Sequence, residues 1–191
     1  MMSFLRTLMV GITLAGVLTS QNVKADSWRF PATIKSEVEK HGDIAVRRII
    51  DARKNQRFPD YTIEVSRGNE LLARFPGTYF EQLFAAPDGS FFVGLSNNGL
   101  PGTAVIVFDR LGRLRIEVKH DLAEFDYCEH SVTLRRVWFD AENPNVTFTK
   151  DANLDAYKVS LRTCKGSQVD LMSAVQDAYN KSYLRATSDI R

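Results

Sequence analysis

The stretch Pro87 to Lys119 constrains the fold more than any other part of the chain. Its pattern predicts three successive strands: Ser90 to Asn97 after a Pro-Asp-Gly turn, Thr103 to Asp109 after an Asn-Gly and Pro-Gly loop, and Arg113 to Lys119 after Arg-Leu-Gly. The third alternates, with Leu114, Ile116 and Val118 on one face and Arg113, Arg115, Glu117 and Lys119 on the other, which predicts one side on a core and one in water. The middle strand does not alternate. Ala104-Val105-Ile106-Val107-Phe108 is apolar on both faces, the pattern of a central strand covered on two sides.

The first 25 residues carry the features of an export signal. Arg6 gives a positive n-region, Leu8 to Leu18 an apolar core, and Val23-Lys24-Ala25 a small-residue cleavage site before Asp26. The apolar run is shorter than the roughly 20 residues of a membrane span, so no stable span is expected after signal cleavage; an uncleaved N-terminal anchor is the alternative. No cysteine stands near the cut, against a lipoprotein. Residues 1–25 therefore read as a signal peptide and 26–191 as one β-rich domain, periplasmic or secreted.

Removing Arg6 and Lys24 leaves 23 basic residues against 23 acidic ones. A neutral chain has no extended electrostatic footprint for nucleic acid. Cys128 and Cys164 are the only cysteines, and in an oxidising compartment one intramolecular disulfide is available to them.

Upstream, Asp26 to Glu39 predicts an extended arm that tucks Trp28 and Phe30 against the sheet, or a short helix near Thr33 to Lys40. Ile44 to Ile50 fits a strand, with His41-Gly42-Asp43 as the turn before it; Tyr61, Ile63 and Val65 alternate in the next, and Arg67-Gly68-Asn69 turns the chain back through Glu70 to Phe75. The same order of events recurs around Asp88-Gly89-Ser90, at 47 residues from Gly42 to Gly89 and 44 from Gly68 to Gly112. A looser third copy runs from Ser131 to Phe139, through Asn145 to Lys150 and AYKVSLRT, to QVDLM after the Cys-Lys-Gly turn. Short-strand repeats of about 45 residues have the period of propeller blades. Ser173-Ala174-Val175-Gln176 has capping-box spacing, which predicts a helix from Ala174 to about Arg185 with Val175, Ala178, Tyr179 and Tyr183 on its packed stripe.

Over residues 41 to 172, the -DG- turn, the alternating strand, the apolar strand ending in Asp and the -G-x-L- return resemble β-propeller blades, as in small uncharacterised secreted bacterial proteins. The resemblance implies antiparallel meander sheets in about three blade-like repeats, open and propeller-like, with a C-terminal helix. It transfers no catalytic motif.

The densest functional chemistry is HDLAEFDYCEH, residues 120 to 130. Here His120, Asp126 and His130 are candidate metal ligands, although their spacing matches no zinc motif and an acidic, solvated connector accounts for the same residues. A Ser-His-Asp hydrolase would have to draw on His41, His120 or His130, and no Gly-x-Ser-x-Gly elbow is present. The Asn97-Asn98-Gly99-Leu100-Pro101-Gly102 loop lacks the lysine of a phosphate cradle. With Asn97, Asn98 and Leu100 of that loop, an exposed Phe92 completes a candidate binding surface; one of each aromatic pair, Phe91/Phe92 and Trp138/Phe139, is available for exposure. The expected function is an exported, non-enzymatic β-sheet module with a binding or structural role in the bacterial envelope, no cofactor, and an envelope protein or polymer as partner. The alternative is an envelope hydrolase or metal-binding protein using His120 to His130.

Overall fold

The structure, a computed structural model, describes residues 29–99, 102–130, 135–151 and 157–188. The first meander is β1 (Ile34–His41), β2 (Ile44–Asp51), β3 (Asp60–Arg67) and β4 (Glu70–Pro76); the second is β5 (Gln82–Ala85), β6 (Phe91–Leu95), β7 (Thr103–Asp109) and β8 (Leu114–Lys119). Each forms an antiparallel sheet with its strands in chain order. A third unit pairs β9 (Glu129–His130) with β10 (Arg136–Val137), then β11 (Thr147–Lys150), β12 (Tyr157–Arg162) and β13 (Gln168–Asp170), and ends in α1 (Leu171–Ser188). The repeated turns have a common cause: Gly42 and Gly89 occupy equivalent hairpins at φ of 63° and 64°, where a side chain would be strained.

Strand β7 is the middle of the molecule and is buried throughout. Its Ile106 and Phe108 pack with Phe92, Leu83 and Phe80 against Ile44, Val46, Ile63 and Val65 of the first sheet. Its Val105 and Val107 pack with Val93 and Leu95 against Trp138, Phe139, Val159 and Leu161 of the third unit. The doubly apolar strand is thus shared by two cores, as its sequence predicts. Burying both faces is what holds the layers together, at about 25 cal/mol per Å² of apolar surface removed from water.

The first sheet presents the opposite chemistry on its outer face. Val38, Arg47, Glu64 and Arg74 lie side by side across its four strands. Glu64 forms ion pairs with both neighbours, with N–O distances of 3.9 Å to Arg47 and 2.9 Å to Arg74.

Several sequence expectations are corrected. Ile34 to His41 is neither an arm nor a helix but the edge strand β1, paired along its length with β2; Trp28 lies outside the described residues. In β8 the ladder shifts register between Val107 and Phe108, so Ile116 faces Val107 while Leu114 faces Phe108 and stays 46% exposed. Glu117 and Lys119 are drawn inward: Thr78 donates to Glu117 Oε1 at 2.8 Å, and Lys119 donates to Glu117 and to Thr103 Oγ1. Helix α1 starts three residues early, capped by Asp170, whose Oδ1 accepts from the Ser173 amide at 3.0 Å. Leu171, Val175 and Ala178 form its buried stripe, and Tyr183 is exposed. Within the predicted strand Ser131 to Phe139 only Arg136–Val137 forms a ladder among the described residues, with isolated bridges at Arg135 and Phe139; residues 131–134 lie outside the described residues. Residues 1–25, with the expected signal, lie outside them too. Among the described residues no helix is long and apolar enough to cross a membrane.

Candidate functional site

At one end of the central sheet the chain crosses between layers several times. The end of β4, the loop before β7, the end of β8 and the start of β10 meet there around a cleft of about 490 Å³, a volume within the range of small-ligand sites. Its walls include Gly77, Gly102, Lys119, His120, Asp121 and Arg136. The two regions singled out in the sequence, the Asn97 to Gly102 loop and the His120 segment, therefore contribute to one cleft.

His120 is 4% exposed and is fixed at both ring nitrogens. Nε2 lies 3.2 Å from the Ser96 carbonyl and Nδ1 lies 2.9 Å from the Tyr127 hydroxyl. A carbonyl can only accept, so Nε2 carries the proton and Tyr127 donates to Nδ1. Burial pushes the imidazole down to about 4, with the Arg136 charge acting in the same direction and the Ser96 carbonyl opposing both. At neutral pH the ring is uncharged. Burial also raises the Tyr127 phenol, against the pull of Arg136.

Arg136 is the charge that stands out. Its Nη1 donates to the His120 carbonyl at 3.0 Å, and its Nε is buried without a hydrogen-bond partner. Among the described residues no carboxylate lies within ion-pair distance of it. Lys119, by contrast, is neutralised by Glu117 at 2.5 Å. Asp121 stands at the rim, exposed, where water screens it. A guanidinium in a cleft wall, without a counter-ion, favours an oxyanion above it, because the fork of N–H donors matches the geometry of a carboxylate.

The remaining acidic residues of 120–130 are engaged outside the cleft. Asp126 pairs with Lys165 at 2.6 Å, Glu124 with Arg185, and Glu129 with Arg135 at 3.6 Å. His130 is exposed and stacks on Tyr127 with ring centroids 5.7 Å apart. His120, Asp126 and His130 are not brought together, and among the described residues no three metal-binding side chains converge. The segment is only partly the solvated connector expected of it, since Ala123 and Phe125 are core residues and Phe125 stacks on Trp138 at 4.3 Å.

Phe92 has no surface to present: it is fully buried and stacks on Phe108 at 5.2 Å. Trp138 and Phe139 are both buried as well, in the core that the third unit shares with the second sheet. Asn97 and Asn98 are half-buried and structural: the Asn97 carbonyl accepts from the Arg136 amide at 2.8 Å, and Asn98 bridges to Arg135. Leu100 lies outside the described residues. Cys128 and Cys164 form the expected disulfide, with Cα atoms 6.0 Å apart, and join the start of β9 to the β12–β13 turn. A disulfide is compatible with an oxidising compartment.

Sequence reading singled out neither Arg136 nor Tyr127. Arg136 looks like any polar residue of a half-buried strand, and its role depends on a β8 end some sixteen residues away. Comparison with protein-family models, with curated proteins and with solved structures finds no match.

Proposed function

We propose that the protein is an exported, non-enzymatic binding module of the bacterial envelope, and that the cleft between His120 and Arg136 takes a carboxylate presented by an envelope protein or polymer. The observation that carries this reading is Arg136, a cleft-wall guanidinium that no carboxylate neutralises among the described residues. The neutral His120 and its Tyr127 donor then serve as rigid supports that hold the cleft wall in place, with no acid–base role. In the same reading, the three units are blades of an open, propeller-like array, which is supported by the matched meanders of the first two sheets and their face-to-face cores.

The test is calorimetric titration of the full chain with small carboxylates, with inorganic phosphate as a second arm. Arg136→Gln keeps a donor for the His120 carbonyl and removes the charge. It is expected to weaken carboxylate binding by about tenfold or more, the range for losing a buried charged hydrogen bond. Equal binding by the variant, or none by either protein, removes the cleft from the argument. Tighter binding of phosphate than of carboxylate would reassign the ligand class.

A further inference from the structure

The first sheet ends in β1, and among the described residues nothing pairs with its outer side. The His41–Ile44 pair closes a two-residue turn, and the Thr33 carbonyl accepts from the Ala52 amide. These two contacts set the phase of the ladder. Odd-numbered residues of β1 spend their backbone groups on β2, and Ile34, Ser36, Val38 and Lys40 turn theirs to the open side. Ile34 and Val38 are 48% and 49% exposed, two β-branched side chains on one face of that open strand.

An unpaired edge of this length is a template for another strand. We propose that the partner strand is β1 of a second copy, paired antiparallel about a two-fold axis at Ser36, so that the two four-stranded sheets join edge to edge. The charges on the strand select this register. The backbone phase allows pairings centred on residues 35 to 39. Centring on Lys35 sets lysine against lysine. Centring on Glu37 or on Glu39 sets glutamate against glutamate, and centring on Val38 sets Glu37 against Glu39. Like charges directly opposite are destabilising. Centring on Ser36 alone places no like charges opposite: Lys35 meets the partner copy's glutamate at 37 twice over, and Ile34 meets the valine at 38 twice over. The apolar pairs lie on one face and the ion pairs on the other, both by symmetry, as an isologous interface requires. This inference is independent of the cleft, which takes Pro76 and Gly77 from the end of β4, at the opposite edge of the first sheet from β1.

Sedimentation of the full chain at pH 7, over about 1 µM to 1 mM, reads the association directly. The expected result is a concentration-dependent monomer–dimer equilibrium. Lys35→Glu alone and Glu37→Lys alone should each raise the dissociation constant about tenfold or more, and the double exchange should return it to within about threefold of the parent, because the swapped charges again meet their opposites. Ser36→Pro should abolish the dimer, since it removes an outward-facing N–H and leaves the β2 ladder untouched. Residues 35 and 37 are exposed, so these variants are expected to fold; Lys35→Glu should leave the melting curve unchanged, while Glu37→Lys should lower it slightly, because Glu37 also pairs with Arg48 of its own sheet at 3.4 Å. A chain that stays monomeric throughout the range overturns the proposal. So does a dimer indifferent to Ser36→Pro, or one that the double exchange fails to restore.

Discussion

The Phe80 ring occupies the space that a side chain on Gly94 would need. A Cβ placed on Gly94 would come within 2.7 Å of both Phe80 Cγ and Ile106 Cγ2. Both neighbours are buried side chains in the core between the first two sheets, with little room to retreat. Gly94→Ala should therefore destabilise the protein by about 1–3 kcal/mol, the usual cost of overpacking a filled core. In a Phe80→Leu background the same substitution should cost less, and chemical denaturation of the four proteins measures the coupling. Equal costs in both backgrounds would show that Phe80 is not what excludes the methyl group.

His120 makes stability depend on pH in a defined window. Its pKa falls from 6.5 to about 4 on folding, chiefly through burial. The unfolded state then binds the proton more readily, so the contribution is complete above pH 6.5 and is lost as pH falls towards 4. The full loss is about 3 kcal/mol. Asp51 and Asp88, held at about 2 by hydrogen bonds from Arg53 and from Ser90 and Tyr157, lose their contributions in more acidic solution. Glu81, raised by burial, acts in the opposite sense and loses its contribution as pH rises. The difference between the parent and His120→Gln isolates the histidine. The variant's denaturation midpoint should be flatter between pH 6.5 and 4, and a parallel pair of curves would contradict this account of the ring.

The Cys128–Cys164 bond closes a loop with a sequence separation of 36. Replacing both cysteines by serine should cost roughly 3–4 kcal/mol through the greater freedom of the unfolded chain. Because Cys128 also donates its amide to Val137 and Cys164 donates its amide to Trp138, the folded geometry should survive the exchange. Urea unfolding of the double variant, compared with parent protein in reductant, checks the figure. Coincident curves for the oxidised parent and the variant would mean that the bond restricts little.

What the sequence made visible follows from how local each signal is. The doubly apolar run Ala104 to Phe108 and the paired turns at Gly42 and Gly89 need only short-range patterns, and they place the central strand and the two meanders correctly. The segment IKSEVEKH did not show itself as a strand, because β1 faces water on both sides for most of its length and so needs no apolar alternation. Its pairing with β2 supplies what its composition does not. Phe92 carries the same lesson in reverse. Alternation says that Phe91 and Phe92 point opposite ways, but only the presence of a second layer decides that Phe92 is buried. The cleft was half legible: the loop and the His120 segment drew attention separately, while Arg136 acquires its meaning only when the layers assemble beside it.

The ladder of Arg47, Glu64 and Arg74 on the outer face of the first sheet bears on how such a chain lengthens over evolutionary time. Layers that join through their faces form a one-dimensional array, in which every internal member must be apolar on two sides. A duplicated copy of the first sheet could not be added outside it, because covering that ladder would strip water from three ions without replacing the lost solvation. Growth would have to be by insertion next to the doubly apolar sheet, behind a terminal layer that already faces solvent. The charged ladder thus fixes where the array ends on that side, and any lineage that extended it further should have lost those charges first.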